Sequence, residues 1–495
     1  MKIARARILV LCFFLVVWAL PSFAVGDDGL NCYTVLVGKN ASADGSVMIA
    51  HNEDDRGDIL VNLRKIQGRK DVGPRKVDLG KGAVYEMDGR TNGFLWIEAT
   101  TQEFADSFVN ESGVVITSDS CGSRETKGEL TDGGIGYMLR RLLAERAKSA
   151  REAVLLAGEL IEKFGYRASG RTYSIADKNE AWMMAAVQGR HWAAQRIPDD
   201  EIAIIPNYYT IRRMNLADPA NFLGSKDLVE YAKANGWYDE AKDGAFDFYK
   251  AYGRPSNRDL VSDGNTLRKW RGLNILGDRK WEVNGDYPFS TKPGKKVTAE
   301  MLMALVRDHY EGTEYDATDG YKNGTPNRTK FRTICTASTI NTFVISLDAR
   351  KPEPLSVSIW LALGKPDTTV FLPLYYGVES LPEGAGLGIT VPDDAVFYKQ
   401  HFEDADFKAG KDALLNTWVL ALEKAAEADY GPMLPKLKEG LFPAEKAFVE
   451  GRAKFEADFA ALYAKDKKAA MKKLDDYVAA AFAEVLKRTK ALRGK

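Results

Sequence analysis

The sequence predicts a layered α+β fold that ends in a helical C-terminal extension. Three observations lead there. Short apolar runs of strand length gather in two blocks, over residues 32–207 and 340–376, with a pair of helices set inside the first block. The strands come in runs and do not alternate singly with helices, which argues against repeated βαβ units. From residue 401 onward the apolar period becomes that of helices.

Residues 1–24 read as a secretory signal. Lys2, Arg5 and Arg7 supply the positive start, "ILVLCFFLVVWAL" the apolar core, and Ser22 and Ala24 the small residues for a cut after Ala24. The apolar run is shorter than the roughly 20 residues of a membrane span. Cys12 lacks the preceding small residue of a lipoprotein site. The mature chain is expected to be exported, periplasmic or secreted, and to keep no stable membrane anchor.

"CYTVLVG" and "SVMIAHN" are strands joined by "KNASADG", whose Asp44-Gly45 pair signals a hairpin. Further strands are expected in "GFLWIEAT", "GVVITSD", "RTYSIAD", "AWMMAAV" and "EIAIIPN". Two helices are expected within 133–164, where Ser149 and Glu152 form a capping box and Gly165 a stop. Residues 215–295 read as mixed helix and loop, and "LMALVRDHY" (302–310) as a short helix. Strands return in "INTFVISLD", "LSVSIWLAL" and "TVFLPLYY". Within 401–495, Phe448, Phe455, Phe459 and Leu462 recur at helical spacing, as do Leu474, Val478, Phe482 and Val485. Lys487, Arg488, Lys490 and Arg493 suit the end of a last helix.

The 69 Lys and Arg residues balance 69 Asp and Glu, so no global field favours nucleic acid or an anionic membrane. Three cysteines follow the leader: Cys32, Cys121 and Cys335. An export compartment permits a Cys121–Cys335 disulfide, and an odd count leaves at least one thiol free. No phosphate loop, zinc-type Cys/His spacing or Gly-x-Ser-x-Gly elbow occurs. "DATDGYKNG" and "NEDDRGD" do not fit a calcium loop. No metal or other cofactor is expected.

Cys32 lies eight residues past the expected signal cut, at the head of a strand. A cysteine that becomes the N-terminal residue carries its own base. Its α-amine has a reference pKa of about 7.7–8.0 and lies within reach of the thiol. Such a site needs neither histidine nor metal. Alone, Cys32 also reads as a small buried hydrophobe, and Cys121 in "SDSCGS" is a rival nucleophile.

The context carries more. "CYTVLVGKNASADGSVMIAHNEDD", "EFADSFVNESGVVITSDSCGSRE", "SAREAVLLAGELIEKFGY", "SIADKNEAWMMAAVQGRHWAAQRIPDDEIAIIPN", "RDHYEGTEYD" and "WLALGKPDTTVFLPLYYGV" appear in this order over most of 32–380. They resemble the dipeptidase family of the cysteine N-terminal-nucleophile hydrolases. The resemblance implies a four-layer αββα sandwich over residues 32–400, peptide-bond hydrolysis and small-peptide substrates, chiefly dipeptides. It implies removal of residues 25–31 as a propeptide, with Cys32 as nucleophile. In related hydrolases an Arg-Asn-x-Asp segment follows the nucleophile; here it reads His51-Asn52-Glu53-Asp54. Asp54 matches the aspartate that holds the α-amine. His51 stands where arginine is usual and is expected to serve as a hydrogen-bonding wall, with Asn52 in support. Asn207 matches an oxyanion-hole asparagine, and Ser120 falls near the other oxyanion position. Arg332 fills the late arginine position. Two alternatives stay open: an amidase or acylase of penicillin V or bile-salt type on the same fold, and a non-catalytic exported binding protein. Homo-oligomerisation is left open.

Overall fold

The computed structural model describes residues 32–70, 73–255, 264–322, 324–387, 401–402 and 410–493. The expected leader 1–24, the 25–31 segment and the boundary at residue 400 lie outside the described residues.

In chain order the strands are β1 (Tyr33–Val37), β2 (Val47–Asp54), β3 (Val61–Ile66), β4 (Arg75–Asp78), β5 (Val84–Met87), β6 (Phe94–Ala99), β7 (Ser107–Asn110) and β8 (Val115–Ser120). There follow β9 (Tyr166–Ala176), β10 (Ala181–Gly189), β11 (Trp192–Arg196), β12 (Ile202–Ile205), β13 (Phe222–Gly224), β14 (Ser290–Thr291), β15 (Thr339–Leu347), β16 (Val357–Ala362) and β17 (Leu372–Tyr375). One sheet runs β14-β12-β1-β2-β15-β16-β17 and the other β13-β11-β10-β9-β8-β7-β6-β3, each through antiparallel neighbours.

The alternation of side chains sorts three cores. Leu36, Ile49, Phe343 and Ile345 of the first sheet meet Leu63, Ile97, Val115 and Met183 of the second between the sheets. Their sequence neighbours point the other way. Trp96, Trp182 and Met184 face α1 (Met138–Arg146) and α2 (Ala150–Phe164). Val35, Ala50, Val344 and Trp360 face α6 (Gly264–Leu276) and α7 (Ala299–Leu305). Both faces of each sheet are therefore buried, and the strands read as continuous apolar runs for that reason. The layers are αββα, as the resemblance implies.

Among the described residues between β13 and α6 lie three short helices, α3 (Leu228–Ala234), α4 (Glu240–Asp243) and α5 (Phe248–Tyr252). At the C-terminus α8 (Leu415–Ala428), α9 (Tyr430–Gly440), α10 (Phe442–Tyr463) and α11 (Lys467–Arg493) follow one another. Leu474, Val478, Phe482 and Val485 of α11 are buried and join the inter-sheet core, and α10 and α11 cover β17, the edge of the first sheet. An open strand edge is thereby closed. No helix among the described residues is long and apolar enough to cross a membrane.

The expected β1–β2 hairpin forms, and within its loop, residues 38–46, Asp44 accepts hydrogen bonds from the Ser46 amide and hydroxyl. Several local expectations need correction. Ser149 does cap α2, but the Glu152 carboxylate reaches the Lys148 amide, one residue before the usual capping-box partner. The helix expected at 302–310 lies earlier because Thr298 caps it, its hydroxyl accepting from the Met301 amide. Cys121 and Cys335 are both free and buried, not bridged. β3 escapes a hydropathy reading because Asn62 and Arg64 are buried there, both hydrogen-bonded to Glu98 of β6.

Candidate active site

Cys32 immediately precedes β1, an interior strand between β12 and β2, and pairing sets Thr34 opposite His51. Cys32, Thr34, His51 and Glu53 consequently share the inter-sheet side. The Cys32 thiol donates to Glu53 Oε1 at 3.0 Å, and the second carboxylate oxygen of Glu53 lies 3.0 Å from His51 Nε2. His51 Nδ1 is 2.7 Å from the Thr34 hydroxyl, which donates to Asp119 Oδ2 of β8 at 2.6 Å. A continuous polar chain thus runs from the thiol across the sandwich. His51 is fully buried with both ring nitrogens engaged and its ring 5.3 Å from that of Phe343.

Asn52 and Asp54 point to the opposite side. Asn52 uses its whole carboxamide, donating to the Val306 and Ile334 carbonyls and accepting from Thr342. It is a brace for the segment that carries Arg332. A bulge in β15 between Thr339 and Asn341 sets Thr339 against Asp54, and its hydroxyl donates to Asp54 Oδ1 at 2.6 Å. Arg332 reaches Asp54 Oδ2 at 3.3 Å. Its approach depends on Gly264, where an added Cβ would stand 2.3 Å from Arg332 Cβ.

Asn207 follows β12 in a left-handed conformation, φ 74°, a region in which Asn is among the better tolerated side chains. Its Nδ2 donates to the Ser120 carbonyl at 3.0 Å. Arg268 of α6 donates to Asn207 Oδ1 at 2.8 Å and to the Cys32 carbonyl at 3.1 Å. That contact fixes which way the carboxamide faces, and one N–H of Asn207 remains beyond the bond to Ser120. The structure therefore brings together Cys32, Asp54, Asn207, Ser120 and Arg332 from five separate segments. Arg268 and Glu53 complete the cluster and were not singled out from sequence. Arg268 lies among other basic residues in "LRKWRG", and nothing in its local pattern marks it.

Burial pushes the Cys32 thiol well up from its ordinary range, and the Glu53, Asp119 and Asp54 carboxylates add to the effect. A resting thiolate is therefore disfavoured. Burial raises Asp54 too, against the opposing pull of Arg332. Burial raises Asp119 to about 6, with His51 working against it. The Cys121 thiol is pushed up to about 12, by burial first and Asp119 second, as suits an inert core residue.

A pocket of about 270 Å³ is lined by Tyr208, next to Asn207, and by Thr266 and Lys269, which flank Arg268 on α6. Burial lowers Lys269 from its ordinary 10.5 to about 7. Across that window the unfolded chain binds more protons than the folded one, so this group makes stability rise with pH from about 7 toward 10.5. Lys269→Met is expected to be more stable than the parent near pH 7 and to lose that rise. Urea titrations across the pH range check this, and equal slopes in the two proteins would refute it.

Comparison with known proteins follows the same lines. A family model described as peptidase family C69 matches residues 31–398. The protein named "Probable dipeptidase A" from Streptococcus pyogenes serotype M1 is 27% identical over 367 residues, covering 71% of this chain and 76% of its own. The "Dipeptidase" of Bifidobacterium longum is 28% identical over 394 residues, covering 71% and 72%. Among solved structures, penicillin V acylase from Agrobacterium tumefaciens aligns with TM-score 0.34 and 13% identity, over 69% of this chain and 86% of its own. That score is too low to add to the layer assignment, which rests on the sheets and cores described above.

Proposed function

The chain belongs to peptidase family C69, and on that premise we propose that it is an exported dipeptidase whose nucleophile is the thiol of an N-terminal Cys32. Supporting this reading is one arrangement above all. Arg268 joins the Cys32 carbonyl to the Asn207 carboxamide, while Asp54 is held by Arg332 and Thr339 beside the same residue. The names of the relatives point to dipeptides.

Maturation comes first. Cys32 Sγ attacks the Asn31 carbonyl, the Asn31–Cys32 C–N bond breaks and the freed α-amine takes the thiol proton. Water then cleaves the resulting thioester, releasing residues 25–31 with a carboxylate at Asn31 and restoring the thiol. In turnover that amine takes the thiol proton as Sγ attacks the substrate carbonyl carbon. Asn207 stabilises the oxyanion through its N–H. The ammonium returns its proton to the departing amine as the peptide bond breaks. The same amine then deprotonates the water that cleaves the thioester, which restores the thiol. Asp54 orients the amine throughout.

Intact-mass and N-terminal analysis of the secreted protein tests the first step. A mature, active protein that begins at Val25 would sink the reading. A panel of dipeptides against penicillin V and conjugated bile salts tests the second, with faster turnover expected for dipeptides. Preference for the acyl amides would make the protein an acylase of the same fold.

His51 acts in this scheme as a wall, bonded to Thr34 and Glu53, and not as a cation at the substrate. His51→Gln is expected to keep most of the activity. His51→Arg is expected to lose it, because the longer side chain meets Phe343 in a filled core. Profiles of kcat/KM against pH decide between these roles: a large loss for Gln, with Arg active at high pH, would assign His51 the role of a cation.

A further inference from the structure

A second buried cluster lies outside this site. His309, Cys335 and Asp367 come from three distant segments, and their imidazole, thiol and carboxylate atoms all lie within 4.8 Å of one another. Asn327 stands among them. We propose that these four residues form a structural site for a divalent transition metal of the zinc class.

The donor set and its spacing carry the argument. Tetrahedral zinc with bonds of about 2.0–2.3 Å sets its ligand atoms about 3.3–3.8 Å apart. Here Cys335 Sγ lies 3.5 Å from both Asp367 Oδ1 and Asn327 Oδ1. His309 Nε2 lies 3.1 Å from Asn327 Oδ1 and 3.7 Å from Asp367 Oδ2. All four residues are buried. Cys335 faces two acceptor oxygens with a single proton, whereas a cation satisfies sulfur and oxygen together. Thiolate and carboxylate would neutralise the dication, and the thiol proton would pass to solvent on binding. Sulfur with imidazole favours zinc over magnesium or calcium.

The surroundings have the form that orients metal ligands. Glu311 Oε1 lies 3.0 Å from His309 Nδ1, which fixes the ring so that Nε2 faces inward. The Tyr430 hydroxyl of α9 donates to Asp367 Oδ2 at 3.0 Å. Cys335 also sits between Arg332 and Thr339, the two residues that hold Asp54. A metal here would pin the segment supporting the nucleophile's partner to both the catalytic layers and the helical tail. The rival arrangement is an imidazolium between Glu311 and Asp367. Burial opposes that charge on His309, but the two carboxylates raise it on balance.

The test is metal analysis of the purified full-length protein from zinc-supplemented medium, with a parallel preparation grown in cobalt. Wild type is expected to retain about one equivalent of zinc per chain. Cys335→Ser and His309→Gln should retain at least about tenfold less. Cys32→Ala should retain the full amount, which separates this cluster from the Cys32, His51 and Glu53 group. The cobalt form should show a thiolate-to-cobalt charge-transfer band. Zinc-free wild type, a cobalt form without that band, or loss of metal in Cys32→Ala would each overturn the proposal. If the two ligand variants fail to fold, the wild-type zinc content and cobalt spectrum still decide it. Metal content is read without any peptide substrate, so the result stands apart from the dipeptidase reading.

Discussion

Cys32→Ala is expected to abolish turnover, lowering kcat by about 10⁵-fold or more on the scale of lost nucleophiles, and to leave the protein at the mass that retains residues 25–31. Both effects share one cause. On the proposed mechanism the sulfur that attacks the substrate also attacks the Asn31 carbonyl, and without it the nitrogen of residue 32 stays acylated and non-basic. The fold should survive, because Cys32 contributes one buried sulfur and the strand pairing of β1 rests on backbone bonds to β2 and β12. Matched thermal unfolding of variant and parent verifies this. A processed and active Cys32→Ala would move the chemistry elsewhere, with Cys121 as the remaining thiol on the inter-sheet side.

Asp54→Asn is expected to keep the fold and cut turnover by about 100-fold or more, the scale of a positioned acid–base group. An asparagine can still accept from Thr339. Its amide would then present a donor to the Arg332 guanidinium, which already sits in a dry environment where burial lowers it to about 10. The pH profile separates positioning of the amine from mere packing. A carboxylate beside an ammonium stabilises the charged form and holds the amine pKa up. Activity needs the free base, so the rising limb of kcat/KM should move to lower pH in Asp54→Asn. Near-normal turnover with correct processing would remove Asp54 from the mechanism.

The parts of the molecule legible in the sequence were those governed by local periodicity. Leu474, Val478, Phe482 and Val485 form one buried stripe because they recur at helical spacing and nothing polar interrupts them. The runs around Val35, Ile49 and Ile345 stand out because both sheet faces are covered. Cys32 stood out by its position after an expected leader, a signal unrelated to folding. The rest depends on partners that lie far away in sequence. Arg64 looks solvent-exposed until Glu98 is set beside it, and Arg268 looks like one more basic helix residue until its fork meets Cys32 and Asn207. Glu53 sits inside a legible motif, but only the pairing of β1 with β2 turns it toward the thiol. His309, Cys335 and Asp367 have no metal-ligand spacing because three separate loops supply them.

The interior placement of β1 has a temporal consequence. Translation delivers Cys32 early, yet Asn207, Arg268, Arg332 and Thr339 emerge one after another behind it, the last more than half the chain later. Until β15 lies against β2, Asp54 lacks both of the groups that hold it. On the proposed mechanism the polypeptide is thus born chemically mute and gains its potency only when closure is complete. A truncated product would then be inert, and the nascent chain would need no separate inhibitor to restrain it.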